Sequence, residues 1–376
     1  MAMEIGDKGE TISAGNAQAI TSAMLAWYDQ ARRDLPWRAP PGKRADAYAV
    51  WLSEIMLQQT TVKAVQPYFR KFMVRWPDIE ALASADLDAV LSEWAGLGYY
   101  SRARNLHRCA RLTVDEHGGR FPESETALLK LPGVGPYTAA AIAAIAFDRP
   151  AAVVDGNVER VVARLYAVEV PVAEAKPMLR RLTGELVPQR RPGDFAQAMM
   201  DLGATICTVR SPACERCPLA HFCQAHTKGL TDLLPIKAKK RAKPTRAGQA
   251  FVVVQGDWIL LRKRAERGLL GGMMEVPSSG WSDDDWQGSG TGEDSDRPLR
   301  GDWRRLPGQV LHTFTHFHLE LDVYLLGLNG NDAPYDEVLP EGWRWVERRE
   351  LGTQALPSLM RKVVAHARRE LADSEP

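Results

Sequence analysis

No run of apolar residues in the 376-residue chain is long enough to span a bilayer. The first residues, MAMEIGDKGETISAGN, lack the basic start and apolar centre of a secretory signal, and their acidic residues argue against a transit peptide. An excess of one charge is missing too. Lys and Arg number 48 against 47 Asp and Glu, a net charge of +1, so any contact with nucleic acid must come from local basic patches. Cysteine is scarce: there are five, and four of them fall between 207 and 223. In a chain without an export signal, that clustering points to a metal site rather than to disulfides. On these absences we expect a soluble, cytoplasmic protein with a loose tail over residues 1–16. The length predicts two domains, each able to bury a core.

What is present centres on Leu131 to Asn157, LPGVGPYTAAAIAAIAFDRPAAVVDGN. A turn holding Gly133 and Gly135 opens it, and both glycines are expected to take backbone angles that other residues resist. An Ala-rich helix follows and points its positive end at the turn, which makes a site for a phosphate oxygen. The stretch closes on Asp155-Gly156-Asn157, where a further helix begins. Asp155 is placed to cap that helix, a role worth about 1 kcal/mol.

Upstream, Ala17–Arg32 reads as an amphipathic helix that Leu35-Pro36-Trp37-Arg38 breaks. A second helix spans Asp46–Gln58 with a wide apolar face. Glu54 lies within it, flanked by Trp51, Leu52, Ile55, Met56 and Leu57. A Glu on a helix is ordinarily a surface charge, but a carboxyl in such surroundings keeps its proton, as a general acid must. Further helices are expected over 61–74, 86–94, 102–116, 123–130 and 156–167. Between two of them, Gly96-Leu97-Gly98-Tyr99-Tyr100 reads on residue type alone as a helix–helix turn with two core aromatics, and it also suits a loop that pushes side chains into a base stack.

The four clustered cysteines, Cys207, Cys214, Cys217 and Cys223, have six, two and five residues between them. Four thiolates on a short loop suit tetrahedral zinc or a four-iron cluster, and spacing alone does not separate the two. Residues 230–249 form a basic linker. From Phe251 the period changes to that of strands: FVVVQ and WILLRKR read as a hairpin, Val310–Leu328 as further strands, and Pro357–Leu371 as a helix. Residues 282–298 look like an acidic loop.

Together WLSEIMLQQT, GLGYYSR, LPGVGPYT, VVDGN, the four-cysteine loop and HTFTHF resemble the adenine DNA glycosylases of the MutY type, within the helix-hairpin-helix superfamily, over about residues 17–371. The resemblance implies an all-α helix-hairpin-helix glycosylase domain over 17–229 with a 4Fe–4S loop at 207–223. It also implies a C-terminal α+β, Nudix-like domain over 250–376 that reads a lesion. The acidic signature that holds Mg²⁺ in Nudix hydrolases is not found after Gly268–Pro277, so nucleotide hydrolysis is not expected there.

Residue by residue, the resemblance makes Glu54 the catalytic acid and Asp155 the carboxylate of the active site, with Tyr137 and Asn157 beside them. Lyase-competent relatives carry lysine where Tyr137 stands, so hydrolysis without strand cleavage is implied. Arg38 and Asp201 match positions around the flipped adenine. Gln59 and Thr60 match positions near the opposing 8-oxoguanine, Leu97 and Tyr99 the wedge, and Gly133 and Gly135 the DNA-gripping hairpin. Phe314, Thr315 and His316 match the loop for oxidised guanine, with Thr315 where Ser is usual. The implied partner is duplex DNA holding an 8-oxoguanine·adenine or guanine·adenine mispair, bound by a monomer. Two other readings of the same residues are an endonuclease III-type pyrimidine glycosylase and a non-catalytic iron–sulfur DNA-binding protein.

Overall fold

A computed structural model describes residues 14–236, 242–266, 268–281, 297–328 and 339–372. Most of the expected tail, residues 237–241 of the linker and nearly all of the acidic loop lie outside the described residues. Contacts divide the chain into two compact units, Met1–Ser84 with Asn105–Lys240 and Ala85–Arg104 with Arg241–Pro376. No helix among the described residues is long and apolar enough to cross a membrane.

The helical run in chain order is α1 (Ala14–Ala31), α2 (Ala47–Leu57), α3 (Val62–Arg75), α4 (Ile79–Ala83), α5 (Leu87–Trp94), α6 (Ser101–His117), α7 (Glu125–Leu128), α8 (Pro136–Phe147), α9 (Gly156–Leu165), α10 (Val172–Leu186), α11 (Pro192–Thr205) and α12 (Gln224–Thr227). α2 starts where the Asp46 carboxylate accepts from the N–H groups of Tyr48 and Ala49. Every residue from Val50 to Met56 is buried, so this helix runs through the core rather than over it. α8 is almost all alanine at its centre, and these small side chains let α2 and α11 pack closely against it. α7 is a single turn, shorter than the helix expected over 123–130. α10, which is not among the helices read from the sequence, carries Pro177 inside it, a residue that reads as a break.

The second unit holds a seven-stranded sheet: β1 (Thr245–Gln255), β2 (Trp258–Lys263), β3 (Met274–Glu275), β4 (Arg304–Arg305), β5 (Val310–Thr313), β6 (His318–Leu328) and β7 (Trp343–Glu347), followed by α13 (Ser358–Ala372). The strand order is β3-β2-β1-β6-β4, with β5 on β6 and β7 on β2. The expected hairpin forms at Gly256-Asp257, with Val254 opposite Ile259. β1 runs parallel to β6 from Thr245 opposite His318 to Gln255 opposite Leu328. Residues 245–249, read as linker from their composition, are thus paired strand. Alternation sorts the two faces: Val252, Val254 and Leu261 join Leu359, Met360 and Val363 in the main core, while Val253 and Leu260 face Trp303, Trp343 and Trp345.

Candidate active site

Glu54 is 5% exposed, and the Tyr137 hydroxyl donates to its Oε2 at 2.7 Å. Burial pushes the Glu54 carboxyl up to about 7. The Tyr137 hydrogen bond opposes that rise, the Asp155 charge adds to it, and Arg38 opposes it. Tyr137 likewise feels the charges of both Glu54 and Asp155. The two carboxyls named from sequence are thus close enough to feel one another, with Tyr137 reaching from α8 to the acid on α2.

Asp155 is half-buried at the start of α9. One carboxylate oxygen accepts from the N–H groups of Asn157 and Val158, at 2.9 and 2.7 Å, and the other from Asn157 Nδ2 at 2.8 Å. The capping role and the position near Glu54 coexist: three donors fix the orientation of the carboxylate. Asn157 is fixed in turn. Its Oδ1 accepts from the Arg160 guanidinium at 2.9 Å, which also donates to the carbonyls of Gly203 and Cys207. Gly203 must lack a side chain, since a Cβ there would lie 2.6 Å from Asn157 Cβ.

Arg38 and Asp201 pair through two bonds of 2.6 Å, and the Asp201 side chain is fully buried. A third partner, Arg33, donates its Nε and its backbone N–H to the same carboxylate. Burial alone would raise the Asp201 carboxyl, but the Arg38 hydrogen bonds and charge, with Arg33, hold it below its ordinary range. Arg33 and Arg160 are the site residues that sequence reasoning missed. Arg33 lies two residues before the Leu35–Arg38 break, and the next residues of α9 after Asn157 include Arg160; proximity to those motifs is the only signal either offers.

The hairpin is half as expected. Gly133 has φ +75, and a Cβ there would sit 2.7 Å from Asn105 Cβ. Gly135 departs from expectation: at φ −93 and ψ 179 it is extended, with open space where a Cβ would be. It caps α8 without a side chain and leaves the helix N–H groups open. Gln59 is exposed just beyond α2, held at φ +56, an angle that non-glycine residues seldom adopt; Thr60 next to it is half-buried.

In the second unit Tyr99 is 44% exposed at φ +48, whereas Leu97, the other residue expected in the wedge, is buried at 6% exposed. Arg102 lies under this loop, donating to the carbonyls of Leu97 and Gly98. The Tyr99 and Thr315 hydroxyls are 2.6 Å apart. Phe314 N–H donates to Phe317 O and closes the turn between β5 and β6 that leaves Thr315 and His316 exposed. Phe314 itself is stacked on Trp281, with ring centroids 5.8 Å apart.

The four cysteines line one cavity beside Arg164. The Leu219 N–H lies beside Cys217 and those of His226 and Ala225 beside Cys223, whose thiol donates to Arg164 O at 3.4 Å. Among the described residues no three His, Cys, Asp or Glu side chains converge as ligands of a single ion. Four thiols around a shared space fit a four-cysteine metal centre of the kind the spacing predicts.

A buried acid near a second carboxylate, a glycine hairpin opening a helix, and a four-cysteine loop define an iron–sulfur base-excision enzyme of the helix-hairpin-helix class. Residues 52–189 match the HhH-GPD superfamily base excision DNA repair protein, residues 207–223 the iron–sulfur binding domain of endonuclease III, and residues 249–366 the NUDIX domain. The chain is 38% identical to the human adenine DNA glycosylase over 401 residues, 92% of this chain and 73% of that protein. It is 38% identical to the mouse adenine DNA glycosylase over 399 residues, covering 92% and 77%. A solved thermostable thymine-DNA glycosylase superposes with a TM-score of 0.51 at 33% identity, over 57% of this chain and all of that one. The chain belongs to the adenine DNA glycosylases, base-excision repair enzymes that act on DNA. Its cofactor is the 4Fe–4S cluster of residues 207–223.

Proposed function

We propose that this protein removes adenine mispaired with 8-oxoguanine, or with guanine, from duplex DNA by hydrolysing the N-glycosidic bond, and that it acts as a monomer. The observation that carries this reading is the pair of carboxyls close enough to feel one another. Glu54 is raised to about 7 by burial, and Asp155 is held by three donors to its carboxylate. Adenine inside a duplex is out of reach and must be flipped out at a cost of a few kcal/mol. Leu97 and Tyr99 fill the opened stack, while the hairpin at Gly133 and Gly135 grips the backbone. Glu54 donates its proton to N7 of the base, a contribution of roughly 10²–10⁴-fold. As the base leaves, the sugar becomes cationic, and Asp155 stabilises it. Glu54, now ionised, activates water. This is the two-carboxylate logic of glycoside hydrolysis.

Tyr137 and Asn157 orient the two acids. Arg38 and Asp201 surround the flipped base, Gln59 and Thr60 lie near the opposing guanine, and Phe314, Thr315 and His316 read its oxidised edge. Tyr137 cannot form a Schiff base, so the strand stays intact. The test is a gel assay on a duplex with one 8-oxoguanine·adenine pair, with and without hot alkali. A guanine·thymine duplex and a duplex with a damaged pyrimidine serve as controls. Alkali-dependent cleavage at the adenine is expected. Alkali-independent cleavage at the pyrimidine, release of thymine, or retention of DNA without any cleavage would each refute the reading.

A further inference from the structure

Arg164 lies in the last turn of α9 and is 1% exposed. Its guanidinium is spread over four acceptors. Nη1 donates to Cys207 Sγ at 3.2 Å and to Thr208 O at 2.7 Å, Nη2 to Val209 O at 3.4 Å, and Nε to Leu234 O at 2.9 Å. The carbonyl bonds hold the start of the cysteine loop and the segment that follows it. The bond to sulfur is of a different kind. Cys217 and Cys223 have neutral backbone N–H groups beside them, whereas Cys207 receives a donor that carries a full positive charge.

A cationic N–H donor withdraws electron density from a thiolate, and it does so strongly where water is excluded. Hydrogen bonds to the sulfurs and local charge are among the levers that set the potential of an iron–sulfur centre. Reduction adds negative charge that is shared by the ligand sulfurs. A buried guanidinium against one of them favours the more reduced state. Three carbonyl bonds would be enough to fasten the loop, so the contact with Cys207 Sγ has a consequence that fastening does not explain. We propose that Arg164 sets the reduction potential of the cluster through its charged N–H···S bond to Cys207, raising it above the value the backbone donors alone would give.

The test uses the full-length holoprotein. Arg164→Met keeps the length and apolar stem but removes every donor; Arg164→Lys keeps the charge with a single donor group. For variants with wild-type iron content, direct electrochemistry reads the cluster midpoint without DNA. A downward shift in Arg164→Met, with a smaller one in Arg164→Lys, is expected. An unchanged or higher midpoint in a fully loaded Arg164→Met protein would overturn the proposal, since a purely structural role alters loading and not potential. Should Arg164→Met fail to take up iron, the wild-type protein decides. Labelled with guanidino-¹⁵N arginine and poised in an EPR-active state, it should show a ¹⁵N coupling to the cluster spins, and absence of that coupling would equally overturn the assignment.

Discussion

The Tyr137 hydroxyl donates to Glu54 Oε2 at 2.7 Å, and it does so from the second residue of the hairpin helix. One side chain thus links the glycine turn at the start of α8 to the acid on α2. A donor to a carboxylate stabilises its charged form, so this bond keeps Glu54 from rising even further than about 7. Tyr137→Phe should therefore move the alkaline fall of the adenine-release rate to higher pH. A single-turnover pH profile with its inflection unmoved would show that the phenol does not tune the acid.

In the wild-type protein the rate should fall about tenfold per pH step once pH exceeds about 7, because only the protonated form of Glu54 donates. Glu54→Gln should abolish release while DNA affinity stays within a few fold. The same substitution has a stability consequence with a definite sign. The folded Glu54 titrates near 7 against 4.5 in the unfolded chain. The stability tied to its proton is complete below 4.5 and lost as pH rises through 7, a gap of about 3 kcal/mol. Glu54→Gln should unfold later than wild type at pH 8–9 and at a similar point at pH 5. Denaturant melts at the two pH values check this.

Asn157 is held by Arg160 and holds Asp155. Asn157→Ala removes one donor to the carboxylate and the acceptor of a buried guanidinium. The release rate should drop roughly 10–100-fold, the range for loss of a supporting partner behind a reactive group. DNA affinity should hardly change. A loss confined to affinity would place Asn157 at the duplex rather than behind the carboxylate.

The two hairpin glycines should respond differently. Gly133→Ala forces a Cβ to within 2.7 Å of Asn105 Cβ at φ +75, and should cost about 1–3 kcal/mol of stability along with DNA affinity. Gly135→Ala, extended and in open space, should fold as the wild type does. Thermal melts and binding isotherms of both variants settle the contrast.

Thr315 shares a 2.6 Å contact with the Tyr99 hydroxyl and sits exposed at the turn. Thr315→Val keeps the bulk and removes the hydroxyl. The preference for adenine opposite 8-oxoguanine over adenine opposite guanine should shrink by about tenfold, the worth of one hydrogen bond. Thr315→Ser should retain it. Equal preferences in the Val variant and the wild type would remove this loop from lesion reading.

Much of this was legible in the chain alone because the signals are local. Asp155 caps the helix that follows it, the apolar flanks of Glu54 lie within one turn, four cysteines fall within 207–223, and alternation in 251–255 sorts a strand into two faces. Such patterns follow from backbone periodicity and the chemistry of neighbouring residues, which need no knowledge of the fold.

What lay beyond the sequence depends on partners far apart in the chain. Arg33 meets Asp201 across 168 positions, Arg160 meets Gly203 across 43, and Arg164 meets Leu234 across 70. The left-handed backbone of Gln59 and the extended one of Gly135 likewise have no local signature. A titration near neutrality for Glu54 belongs to the same group. Local apolar neighbours make it plausible, but the balance among burial, Tyr137, Asp155 and Arg38 exists only once tertiary packing has excluded water and set those charges side by side.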